Sequence, residues 1–206
     1  MQVGTRERLI AVVAVTVVEA PATYLWLRLD QAGHEWWGLL SLSAGLLVES
    51  VVGGALIARQ RRNGTIPGAE RVPGSDYQKK VGRLFGAATV AEIGIWVLWL
   101  ALAEGSSQVI GAVVLLVLMH VKHHVEFVAV RDTPFKDHLL APKTTFASAM
   151  EIAGGVACLA LLLDGRPALA AAALLLGFVV EHTILVDEHQ GELERRDIRL
   201  PRSATP

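Results

Sequence analysis

Five glutamates interrupt long apolar stretches of this sequence: Glu19, Glu49, Glu92, Glu151 and Glu181. A sixth apolar stretch instead carries the segment His120-Val-Lys122-His123-His124-Val-Glu126. An ionisable side chain at membrane depth costs about 2.5–3.5 kcal/mol on insertion scales, so such residues are functional candidates by default. The pattern predicts a buried site built from carboxylate and imidazole groups.

The spacing of the histidines is that of a metal-binding helix face. His120, His123 and His124 stand at i, i+3 and i+4, which places all three on one side of a helix. We predict that they are metal ligands together with carboxylates and one further histidine from other stretches, namely Glu19, Glu49, Glu126, Glu181 and His182. We assign Glu92 and Glu151 to acid–base catalysis, and Lys122 to charge balance.

Charge balance favours a bound cation. Six carboxylates with Lys122 as the one lysine or arginine at membrane depth cannot all be ionised and unpaired. Either most are protonated or cations lie among them, and two divalent ions would neutralise four charges while Lys122 neutralises a fifth. Mixed imidazole and carboxylate ligands suit iron, zinc or manganese, and we favour iron. Helical bundles with inward Glu and His ligands are a known way to build a two-metal site.

The sequence His120-x-x-His123-His124 resembles one histidine box of the membrane fatty-acid desaturase and hydroxylase family. In that family several such boxes near the cytoplasmic face hold two irons that activate oxygen. The resemblance implies a metal centre near the cytosol. The other boxes of the family are missing from this chain, so glutamates would have to replace most of the family's histidine ligands.

The elements that position these residues are long apolar helices. The 206-residue chain is 52% hydrophobic, with a mean hydropathy of +0.45. Its apolar residues form six blocks of about 20 residues, the length that crosses a hydrocarbon core of about 30 Å. We predict an all-α, polytopic membrane protein with helices at 8–29, 37–58, 82–103, 107–130, 144–164 and 167–187. Residues 1–190 form one transmembrane domain, and residues 191–206 form a polar cytoplasmic tail.

Charge and tryptophan positions predict the topology. The segment 59–83 has seven positive charges and the segment 131–143 has three, so the positive-inside rule places both loops and both termini in the cytoplasm, in a cell (inner) membrane. The basic residues are expected to meet anionic lipid headgroups and not nucleic acid. All tryptophans fall in the outer half, as in an interfacial belt: Trp26, Trp36, Trp37, Trp96 and Trp99.

The polar positions also suggest an internal repeat. Glu49 follows Glu19 by 30 residues, Glu181 follows Glu151 by 30, and Lys122 follows Glu92 by 30. Glycines at 33, 105 and 165 follow the first glutamate of each unit by 14, 13 and 14 residues. This predicts three tandem hairpins (8–58, 82–130 and 144–187) around a pseudo-threefold axis. The alternative is coincidence, because helices of similar length joined by short turns give similar spacings.

Two classes of function follow from these residues. The first is a membrane-embedded, metal-dependent enzyme, a two-metal oxidoreductase acting on a lipid-like or apolar substrate near the cytoplasmic leaflet. The second is a transporter or channel for a metal cation or protons. An acid-catalysed isomerase or cyclase without metal is a variant of the first, and a non-catalytic subunit is a third class. The sequence leaves a homo-oligomer open.

Overall fold

The computed structural model describes residues 5–62, 74–131 and 142–199, with side chains described over 6–56, 82–125 except 84, and 143–186. Within these residues the chain is all α, as predicted. The helices are α1 (Thr5–Gln31), α2 (Glu35–Arg62), α3 (Gly74–Gly105), α4 (Gln108–Arg131), α5 (Pro142–Leu163) and α6 (Pro167–Arg199). Each of the six is long and apolar enough to cross a membrane.

Several helices are longer than the apolar pattern predicted. Helix α3 begins at Gly74, within the segment 59–83 that we predicted as a loop, and α6 continues to Arg199, through most of the predicted polar tail. The added segments are rich in Arg, Lys, Glu and Gln. These residues form helices well in water, so a helix need not end where its apolar stretch ends.

The six helices close into a ring. Each helix packs against the next one along the chain, and α6 packs against α1. Packing is most extensive within the three pairs α1/α2, α3/α4 and α5/α6. In the third pair the backbones meet directly, because a Cβ atom added to Gly177 would lie 2.9 Å from Cα of Gly154. The ring therefore places residues of non-adjacent chain segments around one interior.

Short turns join the helices of each pair at one end of the ring, which we name the turn end. Gly33 and Gly165 have positive φ angles of 76° and 72°, a conformation that glycine adopts without steric cost. In these turns the amide of the residue after the glycine donates to a carbonyl five residues earlier: His34 to Leu29 and Arg166 to Leu161, both at 2.8 Å. The α3/α4 turn differs, since the amides of Ser106 and Ser107 both donate to the carbonyl of Leu102.

An aromatic core fills the ring near the turn end. Trp26, Trp96 and Trp99 are 2%, 0% and 1% exposed and contact each other edge to face, with ring centroids 5.4–6.4 Å apart. Our prediction of an interfacial belt is wrong for these three, because they pack against each other inside the bundle. Trp36 and Trp37 are exposed at 78% and 67%, as belt residues would be.

Candidate metal centre

On the side of the aromatic core away from the turn end, contacts connect seven buried ionisable side chains, which we name the buried cluster. They come from five of the six helices, and each is at most 9% exposed. The members are Glu19, Glu92, Lys122, His123, Glu151, Glu181 and His182. Removing so many charged groups from water requires each of them to be neutralised or bound within the cluster.

Lys122 is bound on two sides. Its Nζ lies 2.7 Å from Oε2 of Glu92 and 3.2 Å from Nε2 of His123. Both partners are themselves buried. The position predicted for charge balance thus neutralises one carboxylate directly.

The contacts of His123 fix its tautomer. Nδ1 of His123 lies 2.8 Å from Oγ of Ser148, and that hydroxyl donates its proton to the carbonyl of Thr144 at 3.1 Å. Ser148 can therefore only accept from the imidazole, which requires a proton on Nδ1. The ammonium of Lys122 can only donate, so Nε2 of His123 must accept. Both contacts assign the same neutral tautomer, with the lone pair on Nε2.

The same Nε2 atom also lies close to carboxylate oxygens. Nε2 of His123 lies 3.0 Å from Oε1 of Glu181 and 3.5 Å from Oε2 of Glu151. Within the part of the chain that the structure describes, neither oxygen of the fully buried Glu151 receives a hydrogen bond. Acceptors this close to each other repel unless a proton or a metal cation lies between them.

The cluster contains two sets of atoms that could hold metal ions. One is His123, Glu151 and Glu181, and the other is Glu19, Glu92 and Glu151. In each set the ligand atoms lie within 4.8 Å of one another. We name them the first and the second ligand group. Glu151 belongs to both, which is how a carboxylate bridges two ions in helical bundle sites.

His182 is held beside the second ligand group. Its Nε2 lies 2.8 Å from Oε2 of Glu19, and its Nδ1 lies 2.8 Å from Oγ1 of Thr16. The ring also stacks on Phe178, with the centroids 5.8 Å apart. The first ligand group therefore contains one imidazole, and the second has one beside it; in both, Nδ1 contacts a hydroxyl of another helix, an arrangement that orients metal-binding histidines.

The other predicted ligands lie elsewhere. His120 and His124 stack on each other with ring centroids 6.2 Å apart, and neither contributes to either ligand group. Glu49 is half-buried and lines a cavity beside the cluster. The side chain of Glu126 lies outside the described residues. Of the histidine box, only His123 belongs to a ligand group, the first.

The cavity has a volume of about 120 Å³ and opens from the cluster away from the turn end. One part of its wall is polar and includes Glu19, Glu49, Ser50, Thr89, Glu92 and Lys122. The other part is apolar and includes Ala11, Val15, Leu56, Phe85, Leu185 and Val186. A molecule in this space would have one end among carboxylates and the other among hydrocarbon groups.

Three contacts of one kind join the helix pairs to each other. Ser50 contacts Thr89, His123 contacts Ser148, and His182 contacts Thr16, all at 2.8 Å. Each joins the second helix of one pair to the first helix of the next, and the last returns to α1. We name these contacts the junctions.

The hydroxyl residues of the junctions were not predicted, although the sequence carries a signal for them. A threonine or serine stands three residues before the first glutamate of every unit, at Thr16, Thr89 and Ser148. In two of the three, the hydroxyl donates to the carbonyl four residues earlier, at 3.0 Å for Thr89 and 3.1 Å for Ser148. Their partners directly follow Glu49, Lys122 and Glu181.

Compared with protein-family models, with curated proteins and with solved structures, the chain matches none. Its class therefore follows from its own architecture. Its described residues form six α-helices, each long and apolar enough to span a membrane, and these helices surround a His/Glu cluster that could hold a metal ion.

Proposed function

We propose that this chain is a multi-pass protein of the cell (inner) membrane, with three tandem hairpins and both termini cytoplasmic. Large apolar side chains cover the outside of the ring, for example Leu9, Val51 and Val109, exposed at 61%, 71% and 71%. A soluble monomer rarely exposes so extensive an apolar surface, whereas lipid would cover it. The basic segments 59–83 and 131–143 support the orientation.

Within the membrane, we propose a metal-dependent enzyme with two adjacent ions, of which iron is the favoured metal. The main support for this proposal is the environment of Glu151. This carboxylate is shared by both ligand groups and receives no hydrogen bond from any described residue. Two divalent ions and Lys122 would together balance the five glutamates of the cluster and cavity. Imidazole and carboxylate ligands in this mixture suit iron, manganese or zinc.

The proposed roles of the residues are metal binding and proton exchange. His123, Glu151 and Glu181 would hold one ion, and Glu19 and Glu151 the other, with His182 beside it. Glu92 belongs to the second ligand group and also lines the cavity, so it is placed to exchange a proton with a substrate. A bound pair of redox-active ions would supply oxidation chemistry, which makes an oxidoreductase the proposed class.

The aromatic core favours an enzyme over a transporter. Trp26, Trp96 and Trp99 close the ring between the cluster and the turn end, and each is at most 2% exposed. A transport path would need polar groups or space through that region. A cluster that can be reached from one side suits a reaction on a substrate entering from the cytoplasmic leaflet.

The test is a metal titration of the purified protein in lipid nanodiscs. The protein is stripped with a chelator, incubated with Fe(II), Mn(II) or Zn(II), and its metal content is measured by mass spectrometry. We expect two ions per chain and no metal or proton flux when the protein is placed in liposomes. Flux with weak, exchangeable binding would support a transporter instead. Absence of both metal and flux would overturn the metal proposal and favour metal-free acid catalysis.

A further inference from the structure

One of the three junctions differs from the other two. Counting from the first glutamate of each unit, Ser50 occupies the position of His123 and His182. Ser50 contacts Thr89 at 2.8 Å, the distance that the histidines keep to their hydroxyl partners. A serine is much smaller than a histidine, so this junction closes the ring while leaving space beside it.

The next turn of α2 is also unusually small. Gly53 and Gly54 stand there, and by the same count the other two units have Glu126 and Phe127, and Leu185 and Val186. Ser50, Gly53 and Gly54 all line the cavity. The cavity thus lies where the first unit carries small residues in place of large ones.

The glycines mark the polar side and the mouth of this space. A Cβ atom on Gly53 would lie 3.7 Å from Oε1 of Glu49, whereas one on Gly54 would meet no atom within 4 Å. Gly54 is exposed on the outer surface of the ring. A lipid-phase molecule could therefore enter beside it. The volume of 120 Å³ is close to the cavities of about 150 Å³ that hold benzene, so it admits a ring or a short alkyl segment.

The polar end of the cavity has unfilled hydrogen-bonding capacity. Glu92 and Glu181 are 4% and 2% exposed, and both line the cavity. Among the described residues, none donates to Oε1 of Glu92 or to Oε2 of Glu181. A buried acceptor without a donor is costly, so a group that donates hydrogen bonds would be stabilised here. In the metal-free protein a second carboxylate would be repelled.

We propose that this cavity, between α1, α2, α3 and α6, is the substrate site, and that its ligand is an apolar molecule with a hydrogen-bond-donating head, a hydroxyl or an amine. The head lies at Glu92 and Glu181, and the stem lies along Val15, Leu56 and Phe85. The assignment as a substrate site rests on the proposed enzyme function, while the binding chemistry follows from the cavity alone.

Photolabelling of the chelator-stripped protein in nanodiscs tests the site, because no bound cation can then attract the carboxylate probe. The probes are three matched alkyl diazirines with stems of about six carbons, sized to the cavity, that end in a hydroxyl, an amine or a carboxylate. Labelled peptides are mapped by mass spectrometry. We expect labels on Leu56, Phe85 and their neighbours with the first two probes, and about tenfold less with the carboxylate. The ratio of hydroxyl to amine labelling identifies the head group.

A pair of matched variants makes the test specific. Gly54→Phe places at this position the residue type that the second unit carries, fills the mouth, and should reduce labelling about tenfold. Gly94→Phe is the control, since Gly94 is exposed on α3 away from the cavity and a Cβ there meets no atom within 4 Å. Equal labelling of the two variants, or equal labelling by the carboxylate probe, would overturn the proposal.

Metal content is measured on parallel samples that are incubated with Fe(II) after the chelator has been removed. Two ions per chain in Gly54→Phe together with lost labelling would support both proposals. Labelling at the cavity in a protein that binds no metal would remove the metal enzyme but leave the binding site. Two ions without labelling at the cavity would overturn the site alone.

Discussion

The junctions at His123 and His182 differ from the junction at Ser50 in what lies beside them. All three use a hydroxyl on the first helix of the next pair, and all three have the same 2.8 Å contact. His123 belongs to the first ligand group and His182 contacts Glu19 of the second, whereas Ser50 contacts Thr89, which is in neither group, and lines the cavity, which also reaches His182. The same kind of junction thus positions an imidazole at two places, next to candidate metal ligands, and leaves space at the third.

The comparison distinguishes the contacts that stabilise the ring from the side chains that could take part in chemistry. The hydroxyl contact and the apolar packing recur in every unit, so they serve the fold. The side chain that fills the junction varies, and with it the local function. A test of the account is therefore whether equivalent substitutions have unequal effects.

The largest effect is expected at Glu151. Replacing it with the isosteric amide, Glu151→Gln, removes the charge shared by both ligand groups, so both ions should be lost. We expect more than about 100-fold weaker binding, since even changes behind the ligands cost about 10–100-fold. Metal titration of the nanodisc protein measures this. Glu104→Gln is the matched control, because that carboxylate accepts a hydrogen bond from Gln31 far from the cluster. Equal loss in both variants would contradict the assignment.

The next largest effect is expected at Lys122. Lys122→Met leaves the buried carboxylate of Glu92 without its partner at 2.7 Å, which should destabilise the protein by about 3–5 kcal/mol. The double variant with Glu92→Gln should recover most of that loss, because no charge is then left unpaired. Chemical unfolding in detergent, followed by circular dichroism, measures both. Failure of the double variant to recover would mean that Lys122 acts through packing and not through charge.

A smaller effect distinguishes the junctions from each other. Ser148→Ala removes the group that holds Nδ1–H of His123 and should weaken metal binding about 10–100-fold. Thr89→Ala breaks the equivalent contact to Ser50 and should cost about 1 kcal/mol of stability while leaving metal binding unchanged. Titration and unfolding on both variants give the comparison. Similar metal affinities in the two variants would show that the histidine junction is only structural.

The smallest effect is expected at the turns. Gly33→Ala and Gly165→Ala each force a non-glycine residue into a positive φ, which should cost about 1–2 kcal/mol. Gly105→Ala should cost less, because Gly105 itself does not have a positive φ. Thermal unfolding of the three variants measures this. An equal loss at all three positions would indicate that the turns do not differ.

The fold could be predicted from the sequence because long apolar blocks leave few alternatives to spanning helices. The spacing also relates two charged positions in each unit, five glutamates and Lys122 in all, and five of these six positions lie in the buried cluster while Glu49 lines the cavity. Spacing along a helix carries this information, since residues 30 apart on two joined helices reach a similar depth.

The rotation of each helix could not be predicted in the same way. His120 and His124 share a face with His123 within about 100° of arc, yet the ligand groups contain His123 alone. By the repeat, His120 corresponds to Leu47 and Val179, both exposed on the outside of the ring at 50% and 38%. Only the packing of neighbouring helices decides which edge of a polar face points inward.

The most direct measurement compares His123→Ala with His124→Ala in their metal content. The two residues are adjacent and both are fully buried, so they share burial and residue type but differ in their place relative to the ligand groups. The account predicts two ions in His124→Ala, as in the unmodified protein, and loss of at least one ion in His123→Ala. Two ions in both variants, or loss in His124→Ala alone, would contradict it.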